Sequence, residues 1–404
     1  MANLPAYDLD ATRRAFPIAE RVTYLNHAAI SPLPLPAQDA MRGAVDWLGC
    51  DPGSFFPADP PTGNPFCDVM ATFSAEIARL INAAHPHEVI GVTSTSSGLN
   101  AIAQAVDWQP GDNVVFCNME FPSNVYPWMA LERRGVECRI APADDGGASV
   151  AAFEPLVDGR TRLIAVSAVQ FFTGHRADLA ALGAFCRQRG IMFVVDAIQG
   201  AGHIPLDVQA MKIDALAAGG QKSLMGPPGQ GFLYVRDEVC ACLRPGAIGP
   251  NAVEGYEHWL SYKLKPREGA FRFMMGTPNI PGMVALIESV RFLRGLGLAR
   301  IDAWTRHLSQ VAIDDLTARG YTVIAPRDPA RLGPIVTFRV GDPDDLEQAN
   351  ADATALLDYL TVHQIRVTKH LDARGAPHLR ISTHCYNTEE EARRVGAVLE
   401  SKKL

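Results

Sequence analysis

Lys222 stands in AAGGQKSLMGPPGQGFLYV, between a short apolar run and a glycine-rich turn that leads into a second one. Partial desolvation there lowers an amine's proton affinity, and a neutral lysine condenses with an aldehyde to form an imine. Alone, such a lysine is more often a surface loop residue, so its neighbours decide the reading. Asp196 closes the apolar run MFVV, 26 residues upstream of Lys222. A carboxylate at a buried strand end either caps the segment that follows or pairs with the ring nitrogen of a bound heterocycle, which makes that ring an electron sink. A third element is TSTSSGLN at 93–100, where hydroxyl residues stand at the turn into a helix with Leu99, Ile102 and Val106 on one face. Helix-terminal amides and short hydroxyls bind phosphate; simple N-capping by one serine uses the same residues. Together the three suit pyridoxal 5'-phosphate, which joins an aldehyde, a pyridine ring and a phosphate.

Two other chemistries are disfavoured. GGQKS echoes the end of a nucleotide-binding loop, but Gln221 occupies the position that requires glycine and Leu216 the upstream glycine position. Cys240-Ala-Cys242 lacks the spacing and partners of a zinc site and His85-Pro-His87 is isolated, so no metal is expected. The eight cysteines are scattered, several in apolar runs such as NVVFC, as buried thiols of a reducing compartment would be.

The elements that position these residues follow from patterning. From about residue 88, short Val/Ile-rich runs (VIGV, NVVF, LIAVSA, MFVVDA, DALAA, FLYV) alternate with helix-like segments beginning near Ser97, Ser123 and Ala177. Such alternation predicts a mostly parallel sheet covered by helices on both faces. In one unit Leu179, Leu182 and Cys186 recur at helical spacing and Gly190 stops the helix before the strand Ile191 to Val195, which leaves Asp196 at a strand's carboxyl end, where open α/β sheets bind ligands. Past Pro281 the texture changes to longer amphipathic helices, with Ile301, Trp304, Leu308 and Val311 on one face, interleaved with strands such as PIVTFRV and HLRIS. The last helix opens at a capping box, Thr388 to Glu391. DPGSFFPADPPTGNP at 51–65 reads as a loop placed over the site. The expected division is a large domain over 36–282 and a small α+β domain made of 1–35 with 283–404.

At 404 residues the chain is long for one core and comfortable for two. With 48% hydrophobic and 20% charged residues it has an ordinary globular composition. Its 37 basic and 44 acidic residues carry no long run of one sign, so neither nucleic acid nor anionic lipid is an expected partner and a small molecule is. MANLPAYDLDATRRAF has no continuous apolar stretch, which argues against a secretory signal or a membrane anchor and for the cytoplasm.

YLNHAAISP, TSTSSGLN, EFPSNVYPW, VDAIQGAG, GGQKSLMGPPGQGFLYV, GTPN and RISTHCYNTEEE occur in one order along nearly the whole chain. In these segments the sequence resembles the class V aminotransferases, a family that includes cysteine desulfurases, isopenicillin N epimerase and kynureninase. The resemblance implies the aspartate-aminotransferase-like fold, PLP fold type I, and a homodimer with shared active sites. It implies that Lys222 holds pyridoxal phosphate as a Schiff base, that Asp196 pairs with its pyridine nitrogen and that Gln199 contacts its phenolic oxygen. Thr95, Ser96 and Ser97 match the phosphate turn, Phe121 the ring-stacking aromatic, and Gln221 a cofactor contact. Thr277 in GTPN matches a residue that reaches the phosphate across the dimer interface. Arg380 matches the arginine that clasps a substrate α-carboxylate, and Asn26 and His27 the segment lining the substrate side.

The pattern departs from the family in places. VTKHLDARGAPH, before the Arg380 strand, carries no cysteine to accept a persulfide, and Cys385 lies beyond that strand. Met274 and Gly219-Gly220-Gln221 replace an acidic residue and a Ser-Gly-His run. The resemblance places an aminotransferase first, with a C-S or C-C lyase or an amino-acid epimerase as alternatives; a non-catalytic scaffold of the same fold is the reading from another class.

Overall fold

The computed structural model describes residues 5–55, 65–255, 258 and 260–402. Its strands are, in chain order, β1 (Thr23–Tyr24), β2 (Val89–Val92), β3 (Asn113–Cys117), β4 (Glu137–Ala141), β5 (Thr161–Ser167), β6 (Met192–Asp196), β7 (Ala215–Gly219), β8 (Gly231–Val235), β9 (Val323–Ile324), β10 (Ile335–Arg339), β11 (Ile365–Arg366), β12 (Thr368–Leu371) and β13 (Pro377–Ser382).

The Val/Ile-rich runs form a seven-stranded sheet in the order β2-β8-β7-β6-β5-β3-β4. Neighbours from β7 to β4 are parallel, and only β8 runs against β7 and β2. Both faces of the inner strands are buried, so their residues point alternately into two apolar layers, while the edge strand β4 stays partly exposed. Val115, Ile164, Val195 and Leu216 meet the helices Pro65–Ile81, Leu179–Arg189 and Ile280–Leu296 on one face. Val114, Leu163, Val194 and Ala217 meet the helix Thr95–Ala105 on the other. The helix Leu179–Arg189 is capped by Asp178 and ends on Gly190 at φ +67°, a left-handed turn that glycine adopts without steric cost.

A second core lies over the four-stranded antiparallel sheet β12-β13-β10-β9. Trp304 and Leu308 (helix Leu298–Ala318), Leu356 (Leu346–Val362) and Val395 (Glu389–Ser401) pack there on Val336, Phe338, Leu379 and Ile381. Thr388 and Glu391 form the expected capping box. The helix Ile280–Leu296 crosses the proposed boundary at 282, and its Met283, Leu286 and Val290 belong to the large-sheet cluster.

Two local expectations change. The segment after Ser123 is no continuous helix but the short 3-10 and α-helical turns Pro122–Asn124, Tyr126–Met129 and Ala130–Arg134, because Pro127, inside the segment, lacks the amide that helix propagation needs. The helix expected near Ser97 starts two residues earlier, at Thr95. Of the loop expected over the site, Pro52–Phe55 is a 3-10 turn and residues 56–64 lie outside the described ones.

Candidate functional site

The site lies at the carboxyl ends of β5, β6 and β7. Asp196 is the last residue of β6; burial raises its carboxyl to about 7, Glu120 pushes the same way, and the Ile198 amide, donating to Oδ1 at 3.0 Å, and Lys222 pull it down. Lys222 follows β7 by three residues, in a turn held from both sides. The Ser31 amide donates to the Gln221 carbonyl at 2.7 Å, the Ser223 hydroxyl donates to the Ile198 carbonyl at 2.7 Å, and Met225 takes a left-handed φ of +54°. Burial lowers the Lys222 amine to about 8, with Arg380 acting in the same direction and Asp196 opposing.

The helix Thr95–Ala105 points its amino terminus toward the end of β7. Gly98 permits the approach: a Cβ there would sit 2.8 Å from the Ala217 Cβ. Thr95 Oγ1 accepts the Gly219 amide at 2.9 Å, and Ser96 and Ser123 share a hydroxyl hydrogen bond of 2.8 Å. Ser97 reciprocates the N-cap, its amide donating to Ser94 Oγ and its hydroxyl accepting the Ser94 amide. A helix start so built offers backbone donors and a partial positive charge to an anion.

Phe121 lies with its ring centroid 5.1 Å from Lys222 Nζ and meets the edge of Phe171, also at 5.1 Å. The Phe171 carbonyl accepts Arg380 Nη1 at 2.7 Å, which sets the guanidinium of β13 against the large-domain site. Burial lowers Arg380 to about 10. The amino-terminal segment reaches the same place: the Ser382 amide donates to the Leu25 carbonyl, the Ala28 amide to Ser382 Oγ at 2.8 Å, and Gln199 Nε2 to the Ala28 carbonyl at 2.9 Å. Gln199 Oε1, Asn26 Oδ1, Arg380 Nε and Thr383 Oγ1 are buried without a hydrogen-bond partner. Such orphans call for an additional polar partner. His27 is buried among Tyr24, His384 and Tyr386, with Nδ1 paired to Ser31 Oγ at 2.9 Å.

Lys222, Asp196, Thr95, Phe121, Gln199 and Arg380 therefore occupy one connected region. Thr277 does not touch it. It is exposed and borders a cavity of about 400 Å³ shared with Thr93, Ser97, Asn100 and Gln230. That cavity is lined by neither Lys222 nor Asp196, so it is not the chemical centre, though it shares Ser97 with the helix start.

Two residues went unnoticed in the sequence. Glu120, beside Phe121, is a buried carboxylate with four donors around it. His370, on β12, is lowered to about 4 by burial and by Arg380 and Lys222, and its ring stands edge-on to Phe171 at 5.8 Å. In EFPSNVYPW nothing local marks the acid as buried, and nothing in VTKHLDARGAPH marks His370 as close to Lys222 and Arg380. Among the described residues no group of three or more ligating side chains converges on a metal position, and no helix is long and apolar enough to cross a membrane.

A deprotonatable lysine and a buried aspartate at the strand ends of such a sheet, beside a helix amino terminus and an unpartnered amide oxygen, fit pyridoxal phosphate and define a fold type I enzyme of that cofactor. The chain belongs to the aminotransferase class-V family, which it matches over residues 23–395. It is 30% identical to a probable cysteine desulfurase of Methanothermobacter thermautotrophicus over 96% of both chains. Among solved structures it resembles the apo cysteine desulfurase of Thermococcus onnurineus, with a TM-score of 0.84 and 26% identity over 97% of each chain. It shares its fold with a C-DES variant that carries glycine covalently linked to its pyridoxal-phosphate cofactor: TM-score 0.85, 22% identity, 96% of this chain and 98% of that one.

Proposed function

We propose that the protein is a carbon–sulfur lyase that eliminates sulfur from the β-carbon of an α-amino acid such as cysteine. The carrying observation is the placement of Arg380 and Lys222 over one site with no thiol on the β12–β13 segment. Arg380 receives the α-carboxylate as a fork of donors. Lys222 carries the cofactor and, once displaced by the substrate, moves the Cα proton; a proton affinity near neutrality suits it to give and take. Bound there, pyridoxal phosphate supplies an electron sink for the pair left at Cα. Asp196 holds the ring nitrogen, Phe121 covers the ring, Gln199 and Gln221 border its polar edge, and Thr95, Ser96 and Ser97 hold the phosphate through the helix start. Asn26, with His27 behind it, borders the substrate side.

Transamination was the first expectation; the relatives named as cysteine desulfurases favour the lyase instead. Without a loop cysteine, sulfur has no protein acceptor and leaves in solution. Cysteine and water then yield sulfide, pyruvate and ammonia. Thr277 completes the phosphate site from a second copy in a homodimer, and free thiols such as Cys117, Cys186 and Cys385 suit the cytoplasm.

The test is to incubate the holoenzyme with cysteine, cystine and a panel of other amino acids. From cysteine, equal amounts of sulfide, pyruvate and ammonia are expected; from cystine, cysteine persulfide takes the place of sulfide; in both cases the cofactor is unchanged after turnover. Accumulation of the cofactor's amine form with a 2-oxo acid and no sulfide would make it an aminotransferase.

A further inference from the structure

Glu120 lies buried between β3 and Phe121, and both of its oxygens are engaged. Oε1 accepts the Ser167 amide at 3.0 Å and Gln170 Nε2 at 2.7 Å; Oε2 accepts Asn124 Nδ2 at 2.8 Å and the Ser167 hydroxyl. Two of these partners have fixed polarity. An amide nitrogen can only donate, and Asn124 turns its NH2 toward Glu120 because its Oδ1 takes the Trp128 indole N–H at 3.2 Å. Burial raises the Glu120 pKa, and the Ser167, Asn124 and Gln170 donors pull it only part of the way back. An arrangement of donors is built for a carboxylate rather than a carboxylic acid.

None of the four partners is a cation, so this charge is stabilised by dipoles and remains felt by its surroundings. That charge acts on Asp196. Ser167, which Glu120 grips twice, pairs in register with Asp196 across β5 and β6. The charged groups acting on Asp196 are Glu120, from the segment after β3, and Lys222, from the turn after β7; Arg380, from β13, acts on Lys222. The site thus sets two carboxyls against the one amine that the cofactor will consume. Glu120 also adjoins Phe121, and its partner Gln170 adjoins Phe171, whose carbonyl holds Arg380.

We propose that Glu120 is a positioning residue acting through Asp196: its fixed negative charge keeps the proton on the cofactor's ring nitrogen at pH values where Asp196 alone would release it. A purely structural filler would act through its hydrogen bonds, whereas this role depends on charge. The inference rests on the assignment of Asp196 to the ring nitrogen.

The experiment reconstitutes the protein with pyridoxal phosphate labelled with nitrogen-15 in the ring and follows that shift from pH 6 to 9.5. Glu120→Gln keeps the shape and removes the charge; Glu120→Asp keeps the charge and shortens the reach. The parent and Glu120→Asp are expected to release the ring proton at the same pH, and Glu120→Gln about one unit lower, a tenfold loss of proton affinity of the size one neighbouring charge exerts. Should Glu120→Gln fail to fold, the pair Asn124→Leu with Ser167→Ala removes both donors to Oε2, leaving the Ser167 amide and Gln170 on Oε1; it weakens the support for the ionised form and is expected to shift the titration the same way. A titration identical to the parent's in the variant that folds, or Glu120→Asp shifting as far as Glu120→Gln, overturns the proposal. Asp196→Asn separates the two readings: a ring that stays protonated in it removes the assignment of Asp196, and the Glu120 proposal with it.

Discussion

Thr95 Oγ1 accepts the Gly219 amide at 2.9 Å, joining the first residue of one helix to the last of β7, 124 positions away. This single bond sets the distance between the anion-binding turn and the lysine three residues beyond Gly219. The hydroxyl proton of Thr95 remains available to a phosphate oxygen, since the oxygen here acts only as acceptor.

Thr95→Val therefore removes a phosphate donor and leaves a buried amide without its acceptor. We expect cofactor affinity to fall by about tenfold or more, from a cost of about 1–3 kcal/mol for the unpaired group. Thr95→Ser should restore most of it. Titration of unliganded protein with pyridoxal phosphate, followed by absorbance, checks this.

Lys222, lowered to about 8, is roughly one-tenth neutral at pH 7, against about 0.03% for an ordinary lysine. Covalent attachment of the cofactor should accelerate about tenfold between pH 6 and 7 and level off above about 8.5. Arg380→Gln, by removing a neighbouring cation, should move that inflection upward. A rate still climbing past pH 10 in the parent would assign Lys222 the proton affinity of an ordinary surface amine.

Asp196 predicts a pH-dependent stability of the unliganded protein. Its folded pKa of about 7 lies above the ordinary aspartate value of 3.8. The stability it contributes is therefore complete below about pH 4 and lost as the pH rises through 7. Asp196→Asn cannot ionise, so at pH 8 the unliganded variant should be more stable than the parent by on the order of 2–4 kcal/mol and melt at a higher temperature, and near pH 4 the two should converge. Calorimetry at both pH values measures the difference, and cofactor affinity should move the opposite way.

Arg380→Ala should weaken α-amino acids by about a hundredfold or more in kcat/KM while changing simple amines little, because a bidentate carboxylate contact is worth several kcal/mol. Equal losses for both substrate classes would remove the carboxylate role.

Cys385 is fully buried and burial pushes its thiol far up, which leaves little thiolate to attack sulfur. Cys385→Ala should release sulfide from cysteine at a rate within about twofold of the parent. A loss of a hundredfold with intact folding would make it a sulfur acceptor.

The chain order of residues sufficed for whatever depends on near neighbours. The βα alternation, Asp196 at a strand end, the Gly190 stop and the Thr388–Glu391 capping box are all written within a dozen residues, since strand and helix periodicities and caps are local. Lys222 was legible because its flanking glycines and the run before it are contiguous. The tertiary structure decided the rest. Arg380 is aimed by the Phe171 carbonyl, 209 positions away; Glu120 becomes a buried anion only when Ser167 and Gln170 fold over it; and Asn26 comes to the site because the Leu25 carbonyl takes the amide of Ser382. Hydrogen bonds between segments so far apart leave no periodic trace in either one, and burial, which moved Lys222 down to about 8 and Asp196 up to about 7, exists only once the whole chain has closed around them.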